Sequence, residues 1–178
     1  MKLYKIFFLS FLLLFSYGCK NDTEQGNVEE ITNQKEVILP VEMPEDFHFT
    51  LKYGFYKKNE INTYDRTVTK DLIEDGAITA EIALTDEELA IIYEKMKAIN
   101  IGKKKKLTPK TNCMMEPYTE DEWKISVNGE VIYYYFSDKY CEITDDAKQL
   151  AELRDEIVQI MKQKEAYQNL PEPIGGYD

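Results

Sequence analysis

The chain has few of the residues on which catalysis and metal binding usually depend. Its 178 residues include one histidine, one tryptophan, three cysteines and eight glycines. His48 has no second histidine to join it in a metal site, and the cysteines show no short zinc-type spacing. No glycine-rich phosphate loop, nucleophile elbow or calcium loop occurs in the sequence. We therefore expect no metal, no cofactor and no enzymatic activity, and we assign His48 to the surface of a strand.

Positive charge is also scarce. Lysine and arginine together number 22 against 33 acidic residues, which gives a formal net charge of -11. Such a surface repels the phosphates of nucleic acid, so we expect no nucleic-acid partner. One basic run, Lys103 to Lys106, stands apart, and we interpret it as a solvated loop after a helix. Contact of this run with anionic envelope polymers or lipid head groups is the alternative.

The N-terminus has a short apolar run in place of a membrane span. Residues 6–15 are apolar except for one serine, and Gly18 and Cys19 precede an abrupt change to polar residues. A run of about ten residues is half the roughly 20 that a spanning helix needs, and it is typical of a secretory signal. The segment resembles the lipobox of bacterial lipoproteins, although Ser16 and Tyr17 depart from the usual pattern of that family.

This resemblance implies a cellular location and a membrane anchor. It makes residues 1–18 a signal peptide and Cys19 the acylated N-terminus of the mature protein. Residues 19–45 then comprise the lipidated cysteine and a flexible acidic linker. The protein is expected at the extracytoplasmic face of a bacterial cell membrane, with the inner and outer membranes both left open. An ordinary cleaved signal and an uncleaved anchor are the alternatives.

Residues 46–170 have the patterns of a single domain. Apolar and polar residues alternate in three stretches, and this period of two predicts strands with one buried face. The three stretches are residues 46–56, 62–72 and 78–84. Two more strands flank Asn128-Gly129, the residue pair that most strongly favours a two-residue hairpin loop. We therefore predict a sheet of about five strands.

Two segments have apolar residues at helical spacing. The first begins at Thr85, which can form a capping box with Glu88, and the second begins near Thr144. Residues 171–178 are assigned to a C-terminal tail. The element order β-β-β-α-β-β-α predicts an α+β fold, in which an antiparallel sheet of about five strands carries both helices on one face.

The predicted hairpin determines which side chains share a face of the sheet. A two-residue loop pairs Trp123 with Tyr134 and Ile125 with Ile132, and directly opposed residues lie on the same face. We expect the helices to cover that face. The opposite face then carries the candidate binding residues Lys124, Val131, Tyr133 and Tyr135. The alternative is that the tyrosines suit a strand and only pack over charged side chains.

The two remaining cysteines form one possible disulfide. If Cys19 is acylated, Cys113 and Cys141 are left as a pair in a compartment where disulfides persist. A continuous ladder would place Cys141 opposite Glu116 and about 10 Å from Cys113, which is too far for a bond. Pro117 is expected to break the strand, so the chain can close this gap. Two free thiols are the alternative.

Together these patterns predict a monomeric lipoprotein that binds rather than catalyses. Its domain is expected to contact an envelope protein or a wall component, while the lipid holds it at the membrane. A carboxylate-based envelope hydrolase, whose acidic pair cannot be recognised in the sequence, is the alternative. Association of copies through an open edge strand is a third possibility.

Overall fold

The computed structural model describes residues 35–177. The predicted signal peptide, Cys19 and the linker as far as residue 34 lie outside the described residues. The described part has an α+β architecture, with one antiparallel sheet and helices packed against one of its faces. The predicted fold class is therefore confirmed.

The sheet has six strands, and every neighbouring pair is antiparallel. The strands are β1 (His48–Gly54), β2 (Asn59–Asn62), β3 (Thr67–Ile73), β4 (Gly76–Glu81), β5 (Glu120–Val127) and β6 (Glu130–Ser137). Their spatial order is β4-β3-β2-β1-β5-β6, so β1 lies inside the sheet and joins its two halves. A short 3-10 turn, Phe55–Lys57, connects β1 to β2.

Strand β2 is the element that the sequence pattern missed. It has four residues, of which only Ile61 is buried, so it is too short and too polar to show an alternating pattern. Its backbone nevertheless pairs with β1 on one side and with β3 on the other. The predicted strand over 62–72 therefore corresponds to the end of β2, a turn and most of β3.

Three helices lie on the inner face of the sheet, namely α1 (Asp86–Ala98), α2 (Asp145–Lys162) and the single turn α3 (Glu165–Gln168). The predicted capping box is present, because the Thr85 hydroxyl accepts from the Glu88 amide and the Glu88 carboxylate accepts from the Thr85 amide. Thr144 caps α2 by accepting from the amide of Ala147 at 3.1 Å. None of the helices in residues 35–177 has the length and apolar character needed to cross a membrane.

The core lies between the helices and the inner face. The sheet contributes large buried side chains from its central strands, and α1 and α2 contribute their apolar stripes. The side chains with the least exposure include Phe49, Leu51, Ile61, Trp123, Ile125, Ile132, Ile92, Tyr93, Met96, Leu150 and Ile157. Because the alternating residues of β1, β5 and β6 point into this core, their neighbours in the chain point to the opposite, outer face.

The end of the assigned linker lies against the domain. The Val37 amide donates to the carbonyl of Gly102 at 2.8 Å, and the Tyr93 hydroxyl donates to the carbonyl of Pro40 at 2.8 Å. A Cβ atom at position 102 would come within 1.8 Å of the Val37 carbonyl oxygen, so glycine is required for this close approach. Val37 and Leu39 also pack on the core. Residues 37–40 therefore form part of the domain surface.

Candidate functional site

The hairpin of β5 and β6 has the predicted register. Trp123 faces Tyr134, Ile125 faces Ile132, and the two strands are joined at Asn128-Gly129. Both predicted pairs lie on the inner face and are buried. The four candidate residues lie together on the outer face, and we call them the outer patch, comprising Lys124, Val131, Tyr133 and Tyr135.

The outer patch is accessible but partly packed. Val131 is 40% exposed and Tyr135 is 38% exposed, and Lys124 is also exposed, whereas Tyr133 is half-buried. Tyr133 lies directly opposite Lys124 across the ladder, and Tyr135 lies opposite Glu122. The aromatic rings therefore form a row along β6, beside charged residues of β5.

Charged neighbours hold the ring of Tyr135 in place. Its hydroxyl is hydrogen-bonded to the carboxylate of Glu120. The Lys57 ammonium lies 5.3 Å from the centre of the Tyr135 ring and 2.7 Å from a carboxylate oxygen of Glu122. Burial raises the pKa of Tyr135, and Glu120 adds to this effect. The phenol therefore stays protonated even above neutral pH and keeps donating to Glu120.

Tyr64 extends the patch across the sheet. Its hydroxyl oxygen lies 2.6 Å from the hydroxyl oxygen of Ser126, and the Lys124 ammonium lies 5.3 Å from the centre of its ring. His48 lies on the same outer face, where its ring is 5.2 Å from that of Tyr64. The sequence prediction missed Tyr64 because this contact depends on β1 lying between β2 and β5, which no local pattern indicates.

The outer face carries both signs of charge at short intervals. Lys52 of β1 lies opposite Glu60 on one side and opposite Glu122 on the other. Together with the tyrosines, this gives a broad surface of alternating donors, acceptors and aromatic rings. Such a surface can make hydrogen bonds, ion pairs and contacts with aromatic rings.

Cys113 and Cys141 lie at bonding distance. They are paired in the structure, with Cα atoms 5.5 Å apart, and both residues are exposed. The ladder does not continue to Glu116. Thr119 pairs with Asp138, and Met114 pairs with Tyr140. Between these two pairs the chain before β5 advances by five residues, whereas the chain after β6 advances by two. Three residues of the first segment therefore have no partner in the ladder. Pro117 lies in this unpaired segment. Because these residues bulge out of the ladder, the two cysteines come together.

The basic run after α1 is less solvated than predicted. Lys103, Lys104 and Lys106 are exposed, but the side chain of Lys105 is only 3% exposed. Its ammonium donates to the carbonyl of Ile99 at the end of α1, at 2.9 Å. The prediction of a solvated loop is therefore wrong for Lys105, because this cation satisfies a free carbonyl at a helix C-terminus.

One carboxylate on the inner face has no contact with solvent. Asp121 is 0% exposed, and both of its oxygens accept from Nη1 of Arg154 in α2, each at 2.9 Å. Burial raises the pKa of Asp121 to about 6, against the opposing attraction of Arg154. Arg154 also pairs with the exposed Asp155 at 3.0 Å. This group ties α2 to β5 and offers no accessible acid or base.

The structure provides no metal site in the part that it describes. Within residues 35–177, no three or more histidine, cysteine or acidic side chains are arranged to hold an ion. Glu122 pairs instead with Lys57, and Asp121 pairs with Arg154.

Comparisons with known proteins found no relative of this chain. No protein-family model, no curated protein and no solved structure matches it.

Proposed function

We propose that this protein is a membrane-tethered extracytoplasmic lipoprotein, anchored through Cys19, whose domain binds an envelope component through the outer patch. The observation that carries the proposal is that the helices cover only the inner face, while the outer face presents a row of tyrosines. Exposed aromatic residues on a sheet face are suited to contact with a macromolecule. The proposed role is non-enzymatic.

The geometry of the outer patch favours a protein over a wall polymer. Lys57, Lys124, Glu120 and Glu122 place both signs of charge around the tyrosines. A uniformly anionic polymer would meet as many repulsive as attractive groups, whereas a protein surface can complement both. Because the hydrogen bond to Glu120 and the contact with Lys57 already orient the ring of Tyr135, little side-chain entropy is lost when a partner docks.

The proposed extracytoplasmic location is supported by two independent features. The first is the signal-like segment ending at Cys19, which the lipoprotein resemblance carries. The second is the exposed pair Cys113 and Cys141, at bonding distance on the surface. Disulfides persist in oxidising compartments outside the cytoplasm and are rare within it. Both features fit an exported protein.

The hydrolase alternative has weaker support. It needs two accessible carboxylates with different pKa values. Asp121 has a raised pKa, but it is fully buried and both of its oxygens are held by Arg154. A substrate would have to break this ion pair before reaching the carboxylate, so binding accounts better for the geometry.

The proposal can be tested by cross-linking in intact cells that express the full chain. We expect the double variant Tyr133→Ser/Tyr135→Ser to lose a cross-linked partner that the unaltered chain captures. The matched control is Tyr56→Ser, because Tyr56 is 64% exposed and lies in the turn after β1, outside the outer patch. Retained capture by the double variant would show that another surface is used.

The same samples test the anchor by mass spectrometry of the mature N-terminus. We expect a chain that begins at Cys19 and carries acyl groups. A mature chain that begins at another residue, or that has an unmodified Cys19, would contradict the lipoprotein assignment and leave the outer patch to be judged separately.

A further inference from the structure

A buried lysine lies at the other side of the molecule, on the inner face of β3. The side chain of Lys70 is only 8% exposed. Its ammonium lies 3.1 Å from a carboxylate oxygen of Glu172, which follows α3, and 5.4 Å from the centre of the Tyr167 ring. The two partners differ sharply, because the Glu172 side chain is 81% exposed. The buried ammonium of Lys70 is thus paired with a solvent-exposed carboxylate.

Both residues of this pair line an open cavity of about 550 Å³. It lies between β3, the end of α2 and the C-terminal segment. Its volume falls within the range of small-molecule sites. Val158, Ile73 and Pro173 give it an apolar wall, and Tyr53, Asn59 and Gln168 add polar groups beside Lys70. The cavity can therefore hold a ligand with an apolar body and one polar end.

The hydroxyl groups in the cavity favour a negatively charged ligand. Tyr53 and Tyr167 are hydrogen-bonded to each other, and burial raises the pKa of both. One phenol donates to the other in this bond, so one O–H group of the pair is left to donate to a ligand. The second acidic residue of the lining, Asp71, already accepts from the Tyr177 hydroxyl at 2.6 Å and from the Ile73 amide at 3.0 Å. Each Asp71 oxygen is thus already hydrogen-bonded, while Lys70, Lys162 and one phenol supply donors to the cavity.

We propose that this cavity binds a small carboxylate with an apolar body, and that Lys70 is the residue that binds the carboxylate. In the unliganded protein the carboxylate of Glu172 occupies the position of the ligand's carboxylate. The ligand displaces it, and Glu172 turns into the solvent that already surrounds most of its side chain. The exchange keeps the buried ammonium paired throughout, which avoids the cost of leaving it alone.

The C-terminal segment is fastened beyond Glu172, so this exchange needs no unfolding. The Ile174 amide donates to the carbonyl of Leu72 at 3.3 Å, and the Ile174 carbonyl accepts from the Glu74 amide at 3.2 Å. The ring of Tyr177 stacks on Phe55 with centroids 4.0 Å apart. These contacts hold the end of the chain, while the side chain of Glu172 is free to rotate away.

The test is calorimetry on the full chain in detergent, titrated with acetate, hexanoate and benzoate and with the matched neutral amides. We expect at least one carboxylate to bind and its amide to bind more weakly. Glu172→Gln removes the internal competitor and should strengthen carboxylate binding about two- to fivefold. Because Glu172 is exposed, this variant should fold normally.

Lys70→Gln should abolish carboxylate binding, whereas Lys162→Gln, at the same cavity, should change the affinity less than about twofold.

Several results would overturn the proposal. Absence of any carboxylate binding to the Glu172→Gln variant would do so, and so would equal binding of a carboxylate and its amide. Unchanged binding by a Lys70→Gln variant whose circular dichroism is that of the unaltered protein would exclude Lys70 as the anchor. This site is separate from the outer patch, so the cross-linking result and the calorimetric result are independent.

Discussion

Two neighbouring tyrosines of β6 show how differently the two faces of the sheet use the same residue type. Tyr134 points inward, is 4% exposed, and donates to the backbone carbonyls of Ile101 at 2.6 Å and Lys103 at 2.7 Å. Tyr135 points outward, is 38% exposed, and is bonded to the carboxylate of Glu120. The inner ring fastens a loop to the sheet, whereas the outer ring contacts side chains that solvent also reaches. We therefore expect changes on the inner face to destabilise the fold more than changes on the outer face.

We expect the largest difference in stability between the two faces when a charged residue is removed. Asp121→Ala leaves Arg154 mostly buried without its main partner, and such a change costs about 3–5 kcal/mol of unfolding free energy. The matched control is Glu122→Ala, the next residue, which faces outward and pairs with the partly exposed Lys57. Its cost should be below about 1 kcal/mol. Denaturant unfolding measures both, and equal losses would contradict the assignment of fold stability to the inner face.

The pH dependence of stability gives a second test of the inner face. The pKa of Asp121 is about 6 in the folded protein, above its ordinary value of 3.8, so the folded state binds this proton more tightly. The free energy of unfolding should therefore fall as the pH rises from about 4 to about 6, by up to about 3 kcal/mol.

Other carboxylates titrate in the same range, so the quantity to measure is a difference. The unfolding free energy of the unaltered chain is compared with that of Asp121→Asn at each pH, because the variant lacks this titration. The difference should decline across the interval. A difference that grows with pH would mean that the attraction of Arg154 exceeds the effect of burial.

The two tyrosines themselves provide the smallest and most closely matched pair. Tyr134→Phe removes the donor to two partly buried carbonyls and should cost about 1–3 kcal/mol. Tyr135→Phe removes an exposed hydrogen bond and should change stability by no more than about 0.5 kcal/mol. Thermal unfolding of the two variants under one condition makes the comparison. A larger loss for Tyr135→Phe would reverse the roles given to the two faces.

Local patterns were sufficient to predict much of this fold. Asn128-Gly129 set the register of β5 and β6, so the residues of the outer patch were correctly placed on one face. The capping residues Thr85 and Thr144 marked the starts of α1 and α2. In each case the signal lies within a few residues of the structure that it predicts.

Other features depend on neighbours that are distant in the sequence. Strand β2 has little apolar pattern and exists because β1 and β3 supply backbone partners on both sides. Tyr64 reaches Ser126 only because of the strand order. The burial of Lys70 likewise depends on contacts with Tyr167 and Glu172, which lie about a hundred positions later in the chain. No local reading of β3 could have indicated this.

The most direct test of the proposed binding role is site-specific photo-cross-linking in cells that express the full chain. A photoreactive residue is placed at Val131 in the outer patch or at Ile91 on α1, where the exposed fractions are comparable at 40% and 51%. We predict one discrete cross-linked product from position 131 and none of that mass from position 91. The same product from both positions, or a product from position 91 alone, would contradict a binding role for the outer patch.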